Sequence, residues 1–492
     1  VCTASRTALL TGRHPPRVGM PGVINSLGVE GLPLSEITVA DRLRALGYKT
    51  LTVGKWHQGQ RPDYLPKARG FDAFYGLPYS VDDGIGYANA SECGMPTKSC
   101  AAKHKHNNNK KKKEKKKKHS TKVSLGPEIP LPLIRQTPDS DEILQQPTDL
   151  IPLSQNMLAF VKNFTGQWTA GGLPWFAYVA HPHVHTATAN VQQLGCFEQY
   201  SGCAFAGTSI RGGFGDALSE VDWMVGELVQ HVEDIGATEN TLVIFTSDNG
   251  PWLAKDQGGG SVGLFGATSA PYRNVGKGST WEGGLRMPAF AYWPGTIPAS
   301  TKAYGAVSSL DILPTLTSLA APGGGAVALF GAGTVPLDGT DMTALLLGSA
   351  DSVRVDTLLP FWNGLEYGKV GTDVYAGRWN QYKFHWITST GLISGSHTLN
   401  HTVVHDPPLV FDVEQDPSEA YPLSEKSGEL PAGLIDRVNR ARKAHVDSFT
   451  TRAIDPRFGM QWALCCDRAT NCTCDTPRNM PPEGPTKDFA AA

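Results

Sequence analysis

Four clusters of polar residues in this sequence have types and spacings that could do chemistry. Cys2 and Arg6 lie four residues apart in Cys2–Arg13 (CTASRTALLTGR). The segment reads as the opening of a helix, which returns both side chains to one face. A helix start offers unpaired N–H groups and the positive end of the dipole, so it favours a negative group at Cys2. Lys55 and His57 stand in Gly54–Gly59 (GKWHQG), directly after a short apolar run. His181, His183 and His185 alternate in Ala180–Ala187 (AHPHVHTA), a spacing open to metal ligation or to one functional histidine. Asp248 and Asn249, in Thr246–Gly250 (TSDNG), offer the oxygen donors that hard divalent cations take. Asp-Asn-Gly is also a turn sequence, but here it follows an apolar strand.

The elements that must position these residues alternate between helix and strand. Thr38–Leu46 reads as a helix stopped by Gly47, and Lys49–Val53 as a strand running into Lys55 and His57. Trp175–Ala180 is an apolar strand running into the three histidines. Asp216–Ile235 places Leu218, Val221, Val225, Leu228, Val232 and Ile235 on one helical face, and Gly236 ends it. Thr241–Thr246 predicts a buried strand ending at Asp248 and Asn249, and Pro288–Trp293 another strand. Helices alternating with apolar strands predict an α/β fold with a large, mostly parallel sheet between helices. Ligands collect outside the carboxyl ends of such strands, where these clusters fall. The Pro-rich stretch reaching Pro152 reads as a long loop. Beyond Leu358 the sequence turns aromatic and β-like, as in Asp373–Trp386 and Leu409–Val413, with a helix near Leu434–Val446. The expected division is a catalytic domain over 1–355 and a smaller α+β domain, an antiparallel sheet plus helix, over 356–492.

The formal charge of −2 over 492 residues conceals a split. Between Lys103 and Lys122 there are eleven Lys and one Glu, so the rest of the chain holds 33 basic against 45 acidic residues. An acidic body carrying one basic, low-complexity insert (about 101–124) argues against general nucleic-acid binding. The insert itself is expected to be disordered. No apolar run is long enough to span a bilayer. Nine cysteines, four of them within Cys465–Cys474, and sequons at Asn89, Asn163, Asn400 and Asn471 favour disulfides and a secretory route. Zinc binding by the Cys-rich tail is the alternative.

The Cys2–Arg13 string closely resembles the signature of the type I sulfatases, whose cysteine becomes formylglycine during secretion. Later segments are similar to further blocks of that family, in its order. They are Gly54–Gly59, Ala180–Ala187, Thr246–Gly250 and Gly276–Pro294 (GKGSTWEGGLRMPAFAYWP). Pro336–Thr340 (PLDGT), Leu409–Val413 and Trp462–Cys466 (WALCC) resemble the branch of arylsulfatase A and N-acetylgalactosamine-6-sulfatase. The resemblance implies an alkaline-phosphatase-like fold and sulfate-ester hydrolysis through a formylglycine hydrate made from Cys2. Catalytic roles then fall on Cys2, Arg6, Lys55, His57, His185 and Lys277, with His183 the second choice for the leaving-group histidine. Asp248, Asn249 and the modified Cys2 would hold Ca²⁺ or Mg²⁺. Ser80 and His405 match substrate-pocket positions, alongside Lys55, His185 and Lys277.

Implied partners are a sulfated carbohydrate, sulfolipid or aryl sulfate and the formylglycine-generating enzyme, with homodimerisation open. The implied location is lysosomal or extracellular. Conversion of Cys2 would leave eight cysteines, an even number compatible with four disulfides.

The chain departs from the family pattern at Ala4, usually Pro, at Gln58, usually Leu, and two residues after His185, where the usual Pro is absent. Family members also carry two adjacent aspartates on a strand preceding the cysteine. This sequence begins one residue before Cys2, so the expectation is a fragment with weakened metal binding and activity. The rival readings are a phosphatase or phosphodiesterase on the same scaffold, and an inactive pseudo-sulfatase that binds sulfated glycans.

Overall fold

The computed structural model describes residues 2–20, 22–84, 86, 129–186, 200–252, 276–321, 336–362, 373–389, 402–450, 457 and 464. The lysine-rich insert, the tail Cys465–Cys474 and the sequons at Asn89, Asn400 and Asn471 lie outside these residues.

Helices α1 (Cys2–Thr11), α2 (Pro15–Val18) and α3 (Val39–Ala45) precede the first strand. Thr38 caps α3 reciprocally: its Oγ1 accepts from Asp41 N at 3.1 Å, and Asp41 Oδ2 accepts from Thr38 N at 2.9 Å. Strand β1 (Lys49–Lys55) lies second from the edge of a five-stranded sheet, between β2 (Ala73–Leu77) and the edge strand β5 (Trp175–Ala180), and pairs in parallel with both. The sheet continues antiparallel through β3 (Leu133–Gln136) and β4 (Asp141–Gln145). This hairpin occupies the stretch expected to be a loop. Short apolar runs between prolines carry strand propensity that proline content masks.

Alternation along the strands sends residues to two cores. Leu51, Val53, Tyr75 and Leu77 pack beside α4 (Leu153–Ala170) and α5 (Gly213–Asp234) through Met157, Val161 and Met224. Phe74 and Trp56 pack on the opposite side with Leu10, Leu43 and Leu313.

Strand β6 (Val243–Thr246) pairs antiparallel with β7 (Ala289–Tyr292), and α6 (Glu282–Leu285) lies between them in sequence. A cavity of about 1800 Å³, lined by β5, α5, β6 and α7 (Ile312–Ala320), lies between this ribbon and the main sheet. Among the described residues, neither β5 nor β6 pairs with a strand on its remaining edge. Val243–Thr246 is therefore half-exposed rather than buried, and Phe290 of β7 is 48% exposed.

After α8 (Thr343–Leu346), strands β8 (Leu359–Trp362), β9 (Val374–Trp379), β10 (Tyr382–Thr388) and β11 (Val403–Asp412) form an antiparallel sheet. Helix α9 (Leu434–Asp447) packs on it through Leu434 and Val438. A buried ion cluster ties this sheet to α6. Lys383 Nζ lies 2.8 Å from Glu282 Oε1 and 3.1 Å from Glu419 Oε1, while Glu419 accepts from Glu282 N at 2.7 Å. Trp281 stacks on His385 at 4.2 Å. Every buried charge in the cluster has a partner, the condition under which such burial is tolerated.

Candidate active site

Lys55 ends β1, and the chain turns there because Gly54 takes φ +92°. A Cβ at Gly54 would lie 2.2 Å from Ala180 O. Beyond the strand, Trp56 N and His57 N still donate to Leu77 O and Pro78 O, so the two strand ends leave the sheet together. This pairing brings Lys55 Nζ to 2.9 Å from Ser80 Oγ. His57 has φ +58°, the left-handed region that non-glycine residues rarely enter.

Helix α1 lies across these strand ends. Arg6 Nη1 donates to Lys55 O at 2.6 Å, and its Nη2 lies 3.4 Å from Asp248 Oδ2. Cys2, 3% exposed, has Sγ 3.6 Å from Asn249 Oδ1 and 3.6 Å from Lys277 Nζ. The loop holding Asp248 and Asn249 is pinned to the Lys277 loop by Gly250 N to Gly284 O and Lys277 N to Pro251 O. A Cβ at Gly250 would lie 2.0 Å from Gly283 O, so this approach requires glycine. Lys277 Nζ also lies 3.4 Å from His185 Nε2.

The charges decide what the site can hold. Burial alone would raise the Cys2 thiol, but Lys277 and Lys55 outweigh it and hold the thiol well below its usual range. Burial likewise opposes ionisation of Asp248, yet Arg6, Lys55 and Lys277 keep its carboxyl low. Lys277 is held above the usual lysine range because Cys2, Asp248 and Asp82 overcome its burial. Burial and the Lys55 cation push His57 well down, so it stands neutral. Its Nε2 donates to Ile24 O at 2.8 Å, which leaves Nδ1 as the nitrogen able to take a proton.

The structure thus brings together Cys2, Arg6, Lys55, His57, Ser80, His185, Asp248, Asn249 and Lys277. It separates the three histidines of the loop. His183 turns to Glu220 Oε2 at 3.1 Å and His181 to Ser154 Oγ at 3.2 Å, leaving His185 in the site. No group of three or more His, Cys, Asp or Glu among the described residues is arranged to hold a metal ion. His405 lies on β11 with its Nε2 2.9 Å from Thr388 Oγ1, and none of its described contacts is to another site residue. Asp82 and Asp83, beside His185 and His57, are site residues that the sequence reading did not single out. The paired acids in Ser80–Gly84 (SVDDG), just beyond Ser80, were the available signal.

Gln58 is a polar residue in an enclosed place. Its Nε2 donates to Thr3 O (2.9 Å) and His57 O (3.0 Å), and its Oε1 accepts from Thr7 Oγ1 (2.8 Å). It ties the His57 turn to α1. Gln58→Leu removes all three bonds in an enclosed place and should cost about 1–3 kcal/mol. Chemical denaturation checks this, and an unchanged midpoint would deny the tie.

A nucleophile-type residue at a helix start, two buried lysines and an oxygen-donor loop stand at the ends of an α/β sheet. That combination defines an ester hydrolase with an anionic substrate, on an alkaline-phosphatase-like fold. The sequence model of the sulfatase family matches residues 1–322, and that of the C-terminal region of aryl-sulfatase matches 358–474. The chain is 35% identical to arylsulfatase A of Bos taurus, over 98% of this chain and 87% of that protein. It is 32% identical to arylsulfatase G of Canis lupus familiaris, over 89% and 75%. Among solved structures, the PsFucS1 sulfatase of Pseudoalteromonas sp. is similar with a TM-score of 0.68 and 27% identity, covering 92% of this chain and 82% of that one. The chain belongs to the sulfatase family, and it is an enzyme of sulfate-ester hydrolysis.

Proposed function

We propose that the protein cleaves sulfate esters by way of a formylglycine made from Cys2, assisted by Ca²⁺ or Mg²⁺ at Asp248 and Asn249. The observation that carries this reading is the position of Cys2 Sγ, 3.6 Å from both Lys277 Nζ and Asn249 Oδ1. The donors present fit one side of a hard cation: an ionised carboxylate and an amide oxygen facing the modified residue. When present, the formylglycine hydrate supplies a hydroxyl nucleophile and the cation supplies positive charge beside it.

The chain's own residues do the rest. Lys55 and Lys277 bind the sulfate oxygens, and Arg6 holds Asp248 and the end of β1 in place. His185 gives a proton from Nε2 to the departing oxygen, and His57 takes one at Nδ1. The net reaction breaks the bond between sulfur and the ester oxygen and consumes one water, yielding alcohol and sulfate.

Sulfated carbohydrates, sulfolipids and aryl sulfates are the proposed substrate classes. A secretory route, lysosomal or extracellular, accords with the disulfide at Cys203. Maturation then requires the formylglycine-generating enzyme.

Mass spectrometry of the Cys2 peptide, taken from full-length protein secreted by eukaryotic cells, tests the reading. An aldehyde in place of the thiol, together with release of sulfate from 4-nitrophenyl sulfate, is expected. Sulfate release by protein whose Cys2 thiol is wholly intact would overturn it.

A further inference from the structure

The turn after β2 carries two adjacent aspartates, and each faces one of the two histidines in the site. Asp83 Oδ2 lies 3.6 Å from His57 Nε2, and Asp82 Oδ1 lies 3.7 Å from His185 Nδ1. The two contacts differ in kind. His57 Nε2 already donates to Ile24 O, and Asp83 Oδ2 meets no hydrogen-bond partner. Burial and the neighbouring Asp82 hold the Asp83 carboxyl well above the usual range, so it adds little negative charge. Burial also opposes ionisation of Asp82, but His185, Lys55, Ser80 and Lys277 overcome it and keep that carboxyl low. Asp82 is the anion of the pair.

Its geometry gives that anion a task. The Nδ1 edge of His185 meets Thr186 O at 2.7 Å and Asp82, while the opposite Nε2 edge faces Lys277 Nζ. A ring held at Nδ1 presents Nε2 to the site. Thr186 O can orient the ring by itself, but among the described residues Asp82 is the one that adds a full negative charge behind it.

We propose that Asp82 is a positioning residue for His185, holding its Nε2 towards the departing ester oxygen through the Nδ1 edge and supporting the ring as it delivers a proton. This rests on the reading of His185 as proton donor. It follows that the benefit grows with the need for that proton. Phenols that leave readily need little help, and alcohols that leave poorly need much.

The test is Asp82→Asn, which keeps the side chain's size and removes its charge at a position 31% exposed. In the full-length protein, kcat/KM is measured for aryl sulfates of graded phenol acidity and for one alkyl sulfate. The variant is expected to stay within about threefold of wild type on the most acidic phenol. It should lose about a hundredfold on the alkyl sulfate, within the range of general acid catalysis. Asp82→Glu should recover part of the loss, and His185→Ala should show the same selective deficit. A uniform loss across the series for Asp82→Asn, or none, overturns the proposal while leaving His185 as the donor. An equal loss across the series for His185→Ala removes the proton donor itself, and the proposal with it.

Discussion

Cys2→Ala is expected to lower turnover of aryl sulfates by about 10⁴-fold or more, the scale seen when an enzyme loses its nucleophile. The same variant should still bind inorganic sulfate. The two effects separate because they belong to different residues. On the proposed formylglycine mechanism, alanine lacks the thiol that maturation oxidises, so no aldehyde hydrate can form there. Lys55 and Lys277 remain, buried at 1% and 8% exposure, with Arg6 and Asp248 still paired behind them. In the unmodified chain those lysines are what hold the Cys2 thiol ionised. Without that anion Asp248 and Asp82 offset the two cations only in part, and a sulfate dianion is the natural counter-ion. Thermal unfolding with added sulfate reads the binding, because a ligand selective for the folded state raises the midpoint. Sulfate release reads the turnover. Turnover within tenfold of wild type would move the nucleophile elsewhere. Loss of sulfate stabilisation would mean that Cys2 organises the anion site rather than attacking from it.

Much of this arrangement is legible in the sequence because backbone physics forces it. Polar residues directly after apolar strands emerge at the strand ends, so Lys55 and His185 meet beyond the paired strands β1 and β5, and Asp248 and Asn249 reach them from the end of the separate β6–β7 ribbon. Strand pairing is less legible. Trp175–Ala180 and Thr241–Thr246 are similar apolar runs, yet the first joins the central sheet in parallel and the second pairs antiparallel with Ala289–Tyr292. Apolar content specifies burial, not a partner. The hairpin Leu133–Gln145 was hidden by flanking prolines. Asp82 and Asp83 were hidden for another reason. Two carboxylates in a turn carry no periodicity, and only the tertiary fold shows that each faces a histidine. Glu220 and Glu419 are similar cases, since their partners His183 and His385 are 37 and 34 residues away.

Lys277→Ala should reduce kcat by about 10²–10³-fold, equivalent to about 2.7–4 kcal/mol in the barrier. Three features of its place make the effect large. Its ammonium is buried and held charged by Cys2, Asp248 and Asp82, so water does not dilute its field. It lies 3.6 Å from Cys2 Sγ and 3.4 Å from His185 Nε2, between the groups proposed to attack and to protonate the departing oxygen. Backbone contacts to the Asp248–Asn249 loop, and stacking of Trp281 on His385, fix the segment that carries it, so the charge is in place before the reaction begins. Charge on the equatorial oxygens is felt most in the transition state, and the loss should therefore fall on kcat more than on KM. Lys277→Arg is expected to restore only part of it, since a planar fork does not fit where one compact ammonium reaches both Cys2 and His185. A loss confined to KM would reassign Lys277 to ground-state binding, and near-wild-type turnover would take it out of the site.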